Sequence, residues 1–237
     1  MAFALMSKKS APSYEKVFRA LKLAVMEIHP AGLQPRNIIT DFESAIIAAI
    51  PTEFANAHHY GCFFHYTQAM LKWIRTNGYF LQLRENEQFG KNFTLKLMLP
   101  FLPSGMIVNG SQLIDAEHQC PKDFSAYFES YWAPKASMIS CFERMNHRTN
   151  NASKGYNSGF NKNFTAVSRN VWAFVKKIQT EEEYALIRQN RLDEGHPPAT
   201  SNNFFQRRDA SLVDWKNSFD PNDILFELRR VSRIMRR

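Results

Sequence analysis

Asn37-Ile38-Ile39-Thr40-Asp41-Phe42-Glu43 runs from a short, β-branched, almost continuously apolar segment into an acid. Residues of that character suit a strand covered on both faces, as in parallel sheets. Ser44 to Ile50 follows as a short helix closed by Pro51, and Ala57-His58-His59-Tyr60-Gly61 reads as a second, weaker strand. Phe63, Tyr66, Met70, Leu71 and Ile74 then form an apolar helical face ending near Asn77-Gly78. Strand alternating with helix implies parallel pairing with crossover connections. Upstream, Ser10 is a helix cap with Pro12 in the first turn. Tyr14, Val17, Phe18, Leu21 and Val25 recur at helical spacing until Pro30 and Gly32 end the pattern. Phe3 to Met6 reads as a strand entering the core.

Beyond residue 80 the pattern becomes helical. Leu95, Leu97, Met98, Leu99 and Leu102 read as buried helix broken by Pro100 and Pro103. Phe124, Tyr127, Phe128 and Tyr131 repeat at helical spacing before Trp132 and Pro134. Val171, Phe174, Val175, Ile178 and Tyr184 mark a long helix with Glu181 to Glu183 outward, and no strand is expected between about 80 and 190. Gly195, Pro197, Pro198 and Ser201 to Asn203 read as a linker. Ile224 to Arg237 is an amphipathic basic helix candidate, expected as an exposed tail, with a DNA contact or nuclear address as the other reading.

The chain has 237 residues, 44% hydrophobic and 14% aromatic, ample for a packed core. Thirty Lys and Arg against 22 Asp and Glu leave a formal charge of +8, with a pI near 9.4. That balance suits a polyanionic partner, most simply nucleic acid. The three cysteines, Cys62, Cys120 and Cys141, are too few and odd in number for a disulfide framework, which fits a reducing intracellular compartment. No stretch approaches the roughly 18 apolar residues of a membrane span, and the apolar start, followed at once by Lys8 and Lys9, lacks the form of a secretion signal.

Asp41 is the first candidate for chemistry. An acid at the C-terminal end of an interior parallel strand stands at the mouth of the sheet, where a hard cation such as Mg²⁺ finds oxygen ligands. The other reading is a cap of the helix that follows. Glu43 is expected to face the helix dipole, with a second metal ligand as the alternative. In Gly61-Cys62-Phe63-Phe64-His65-Tyr66-Thr67-Gln68, Cys62 and His65 lie three apart at a helix start and share a face. Cys-x-x-His is half of a zinc pattern, and the other half is missing; packing for Cys62 and a hydrogen bond for His65 is the simpler account.

Pro35 to Glu43 and Gly61 to Gln68 together resemble the Mutator-like (MULE) transposase domain, in which a strand ending Thr-Asp is followed by a helix and a strand leading into Cys-x-x-His. Phe3 to Lys9 with Tyr14 to Phe18, Leu102-Pro103, Tyr127-Phe128 with Trp132, and Arg148-Thr149-Asn150-Asn151 with Gly155-Tyr156-Asn157 extend the resemblance in order over about residues 1–190. It implies an α/β fold: a truncated RNase H-like fold with the first strands missing and a large all-helical insertion at about 80–146, followed by a linker and basic segment at 191–237. It also implies an Asp-Asp-Glu site whose carboxylates hold two Mg²⁺ or Mn²⁺ ions about 4 Å apart for DNA strand cleavage and joining. Asp41 matches the second acid, and Cys62 and His65 the supporting motif.

Two departures set the functional expectation. The first acid belongs on a strand before Phe3, and neither Glu15 nor Glu27, on the first helix, can stand in for it. The third acid falls where this chain has Lys154; Glu143 is the nearest alternative. A lysine there removes a ligand and repels the metal, at about 4 kcal/mol per pair of unit charges at 4 Å and an effective dielectric of about 20. The expected function is therefore DNA binding by a catalytically incomplete, nuclear, transposase-derived chain. Phosphate contacts are expected from Arg148, Asn150, Asn151, Lys154 and Lys162, in a basic stretch that also holds Arg144 and His147. Two alternatives stand: an active transposase piece completed by upstream sequence, and an interaction or homodimerisation module built on the helical insertion.

Overall fold

The computed structural model describes residues 4–145, 147–149, 171–196 and 203–236. Helix α1 (Ala11–Ile28) starts after an extended Ser10 with proline in its first turn. The Ser10 hydroxyl meets that of Ser13 at 2.9 Å and makes no cap bond to a backbone amide. Strand β1 (Asn37–Thr40), helix α2 (Ser44–Glu53), strand β2 (His58–Gly61) and helix α3 (Phe63–Thr76) follow. The strands pair in parallel, with Asn37 opposite His58 and Thr40 opposite Gly61. Helix α2 is the crossover and packs on α1, where the Phe18 and Phe54 rings meet edge to face at 5.3 Å. Arg19 and Lys22 reach Glu53 at 2.6 and 2.7 Å, and the Lys22 hydrogen bond leads in holding the Glu53 carboxyl below its ordinary pKa.

Two local expectations differ from the structure. Residues 4–6 form no strand, and Leu5 is 75% exposed. A strand exists only through a neighbour's ladder, and none of the described residues pairs with this segment. Helix α2 continues through Pro51 to Glu53. The proline lacks an N–H, which costs the helix one i→i−4 bond, and the helix ends two residues later at Glu53.

The rest of the described chain is helical, so the fold is mixed α/β with one two-stranded sheet. Helices α4 (Phe80–Glu85), α5 (Glu87–Met98), α6 (Ile107–Glu117), α7 (Lys122–Tyr127) and α8 (Ala136–Ile139) span the expected insertion. Asn86 caps α5, its side chain accepting from Phe89 N at 3.0 Å. Pro100 ends that helix in a 3₁₀ turn, Leu99–Phe101. Helix α7 passes into a π turn, Phe128–Trp132. Phe124, Phe128 and Trp132 are all fully buried at a spacing of four. On a regular α-helix of 3.6 residues per turn that spacing drifts by about 40° a step. The wider π turn removes the drift and keeps all three rings facing the core.

Three more helices complete the described chain: α9 (Val171–Asp193), α10 (Asn203–Asn217) and α11 (Ile224–Arg236). In α9, Glu181 turns back to Lys177 at 2.9 Å while Glu182 and Glu183 are exposed. The C-terminal stretch is no exposed tail. Helix α11 buries Ile224, Leu228 and Val231 against α5 and α6, and α10 adds Leu212 and Trp215 to the same core. The apolar stripe of an amphipathic helix drives this docking, while Arg233 and Arg236 stay on its wet face.

Candidate functional site

Asp41 follows the last residue of β1 at the C-terminal edge of the sheet, where the sequence placed it. Its Oδ1 accepts from Glu43 N at 3.3 Å, forming an Asx turn. Helix α2 starts at Ser44 with Glu43 as its extended cap residue, so Asp41 does not cap it. The Glu43 carboxylate turns to α1 instead, accepting from the Tyr14 hydroxyl at 3.0 Å and meeting Lys9 at 3.5 Å. Burial first, then the bond to Glu43, pushes the Tyr14 pKa up to about 12. Behind Asp41, the Thr40 hydroxyl lies 2.7 Å from His59 Nε2 and 2.8 Å from the Asp41 carbonyl. Burial lowers the His59 pKa. A neutral ring protonated on Nε2 then donates to Thr40, which donates to Asp41 O.

Phe42 carries the next link. Its ring packs edge to face on Trp132, centroids 4.9 Å apart, and so joins the mouth of the sheet to the helical core. Gly61 makes room for it: a Cβ there would lie 2.3 Å from Phe42 Cε1 and Cζ. Gly61→Ala is therefore expected to cost about 1–3 kcal/mol by overpacking, measured by chemical unfolding. A change below ~0.5 kcal/mol would show that Phe42 gives way easily.

Cys62 is fully buried at the start of α3, and its amide donates to Thr40 O at 2.7 Å. His65 is half-buried three residues on. No disulfide joins the three cysteines. The Cys141 thiol, pushed up to about 11 mainly by burial, feels Arg144, Arg148 and Cys62, which places Cys62 beside the 141–148 segment. Two arginines clamp that segment onto the β2–α3 junction. Arg144 donates to Gly61 O at 2.6 Å and to His147 O at 2.8 Å, and lies 4.7 Å over the Tyr60 ring. The Arg148 carbonyl accepts from Phe63 N at 2.9 Å. The buried Arg148 guanidinium donates to Met145 O and, at 2.7 Å, to Asp209 on α10. Arg148, expected as a phosphate contact, is thus held inside the protein. No local signal pairs it with a residue 61 positions away.

Glu143, the alternative third acid, pairs with Lys216 of α10 at 2.8 Å. It borders a groove of about 460 Å³ shared with His58, His59, Tyr60 and Ser140. Asn150, Asn151, Lys154 and Lys162, with Gly155-Tyr156-Asn157 of the late motif, lie outside the described residues. Among the described residues no three His, Cys, Asp or Glu side chains converge as a metal-binding group. A two-metal centre needs several carboxylates around both ions. Among the described residues, Asp41 stands at the sheet mouth with the Glu43 carboxylate turned away to α1.

A second polar cluster, in the helical body, was not legible in the sequence. Lys96, fully buried in α5, donates to Asp115 at 2.8 Å and Ser111 at 3.1 Å, and lies over the Phe124 and Phe128 rings. Asn92 donates to Asp115 at 2.8 Å, and the Cys120 thiol lies 3.2 Å from the same carboxylate. Burial chiefly pushes that thiol up to about 11. The one sequence hint is a lysine inside Leu95-Lys96-Leu97-Met98-Leu99.

Residues 1–69 match the family model of the MULE transposase domain. The match runs from the start of the chain into α3 and includes Asp41, Cys62 and His65. No curated protein and no solved structure gives a significant match. No helix among the described residues is long and apolar enough to cross a membrane.

Proposed function

We propose that this chain, transposase-related through its first 69 residues, binds DNA through its basic surface and does not itself cut DNA. The observation that carries the reading is the setting of Asp41. It stands at the sheet mouth where an acid of a strand-cleaving site belongs, yet Glu43 is bonded to Tyr14 and Lys9 of the α1 region. The sequence has Lys154 where the resemblance expects a third acid, and a cation at that position of a metal site would oppose divalent metal binding. The formal charge of +8 supports attraction to the phosphate backbone.

The test uses the full chain. Labelled duplex DNA is titrated by fluorescence anisotropy while salt is raised from about 50 to 200 mM. Affinity is expected to fall about a hundredfold, as for about four phosphate contacts at a slope near 0.9 each. Incubation with Mg²⁺ or Mn²⁺ is expected to leave supercoiled DNA intact. Metal-dependent nicking that disappears in Asp41→Ala would overturn the non-cutting half of the proposal; salt-independent or absent binding would overturn the other half.

A further inference from the structure

We propose that the first turn of α10 is a docking surface for single-stranded DNA, with Phe205 as the stacking platform and Arg207 and Arg208 as phosphate contacts. The inference rests on the DNA-binding reading and gives it a place outside the family match. Phe204 and Phe205 are 47% and 46% exposed at the start of the helix, their rings edge to face at 5.5 Å. The Arg208 guanidinium lies 5.7 Å from the Phe204 ring centre and 5.0 Å from that of Phe205. The i, i+3 and i, i+4 spacing of a helix sets Arg208 beside both rings and Arg207 on the side of Phe204.

The charge of this face is not neutralised. Arg148 and Arg208 share one carboxylate, Asp209, which Arg148 engages at 2.7 Å, and Arg207 is exposed beside them in sequence. Among the described residues neither Arg207 nor Arg208 has an ion-pair partner, and Arg208 Nε meets no acceptor. Burial first, and Arg148 next, lower the Arg208 pKa. Elsewhere on α10 and α11, Lys216, Arg229 and Arg230 each meet a carboxylate. Cations left over beside half-exposed rings suit a polyanion that also offers flat, apolar faces. Unpaired bases offer them; a duplex keeps its bases stacked inside. The surface is also tied to the candidate acid's end of the sheet. Arg148 joins Asp209 on one side and, through its carbonyl, Phe63 at the β2–α3 junction on the other.

The test compares the full chain with Phe205→Leu, Phe205→Tyr and Arg207→Ala, using labelled oligothymidylate and a mixed-sequence duplex, with melting curves for each variant. Phe205→Leu is expected to weaken single-strand binding about tenfold and duplex binding by less than about twofold, while Phe205→Tyr keeps wild-type affinity. Arg207→Ala, at an exposed position, is expected to lower the salt slope by about one. Wild-type binding that survives both Phe205→Leu and Arg207→Ala unchanged overturns this inference and leaves the DNA-binding reading standing. Equal loss on single strand and duplex in Phe205→Leu overturns the stacking role. Failure of the wild-type chain to bind either DNA at low salt removes the broader reading, and the inference with it. If Phe205→Leu does not fold, Arg207→Ala alone decides.

Discussion

Asp115→Ala is expected to destabilise the protein by about 3–5 kcal/mol, because it strands the Lys96 ammonium in the core. Lys96 has no exposed surface, and without Asp115 its described polar partner is the Ser111 hydroxyl. The two rings over which it lies stabilise a cation only in part. For a domain of ordinary stability, about 5–15 kcal/mol, the loss consumes much of the margin. Guanidinium unfolding measures it. Lys96→Met with Asp115→Leu removes both charges together and is expected to recover most of the loss, since an apolar pair of similar volume needs no desolvation of ions. A single mutant within ~1 kcal/mol of wild type would show that water reaches Lys96.

The same pair gives stability a pH dependence of defined sign. Burial is the largest single influence on Asp115 and raises its pKa. The hydrogen bonds from Lys96 and Asn92, with the Lys96 charge, outweigh burial and leave the folded value below the ordinary 3.8. A depressed carboxyl contributes stability that is complete above its unfolded pKa and is lost as pH falls through the folded one. The wild type should therefore shed this contribution below about pH 4, and Asp115→Ala should lack that component of the acid transition.

Trp132→Ala is expected to cost about 3–5 kcal/mol and to loosen the sheet from the helical core. The indole has no exposed surface. It meets Phe42, Tyr66 and Tyr131 at 4.9, 4.8 and 4.9 Å, all near perpendicular, the geometry aromatic pairs prefer. Phe42 follows Asp41 directly, so the cavity opens behind the candidate acid. Calorimetry gives the size of the effect. Faster exchange of the amides of β1 and β2, beyond that of α6, checks the coupling. Trp132→Phe, which keeps most of the ring contact, is expected to retain more than half of the lost stability.

Near-neighbour chemistry was readable directly. The β-branched run Asn37–Thr40, the spacing of Tyr66, Met70 and Ile74, and the stops at Gly78 and Pro100 each act within a few residues, so periodicity and backbone restriction reveal them. Asp41 was readable as an acid at a strand end for the same reason. Its alternatives were not separable. Cation ligand or helix cap depends on what the carboxylate meets in space, and here it accepts from Glu43 N and caps no helix.

Long-range partners were hidden. Arg148 looks like one more residue of a basic stretch until α10 folds back to set Asp209 against it. Lys96 looks misplaced in an apolar run until α6 supplies Asp115. The C-terminal arginines look like a tail until the stripe Ile224, Leu228 and Val231 finds α5 and α6.

Amino-acid order alone specified the short elements, the basic balance and an acid at the end of β1, since these follow from local backbone preference and summed charge. Folding in three dimensions assigned the partners of that acid's neighbours, buried Arg148 and Lys96, and left Arg207 and Arg208 outside any described ion pair. Electrostatic pairing depends on distance in space, which chain separation does not encode.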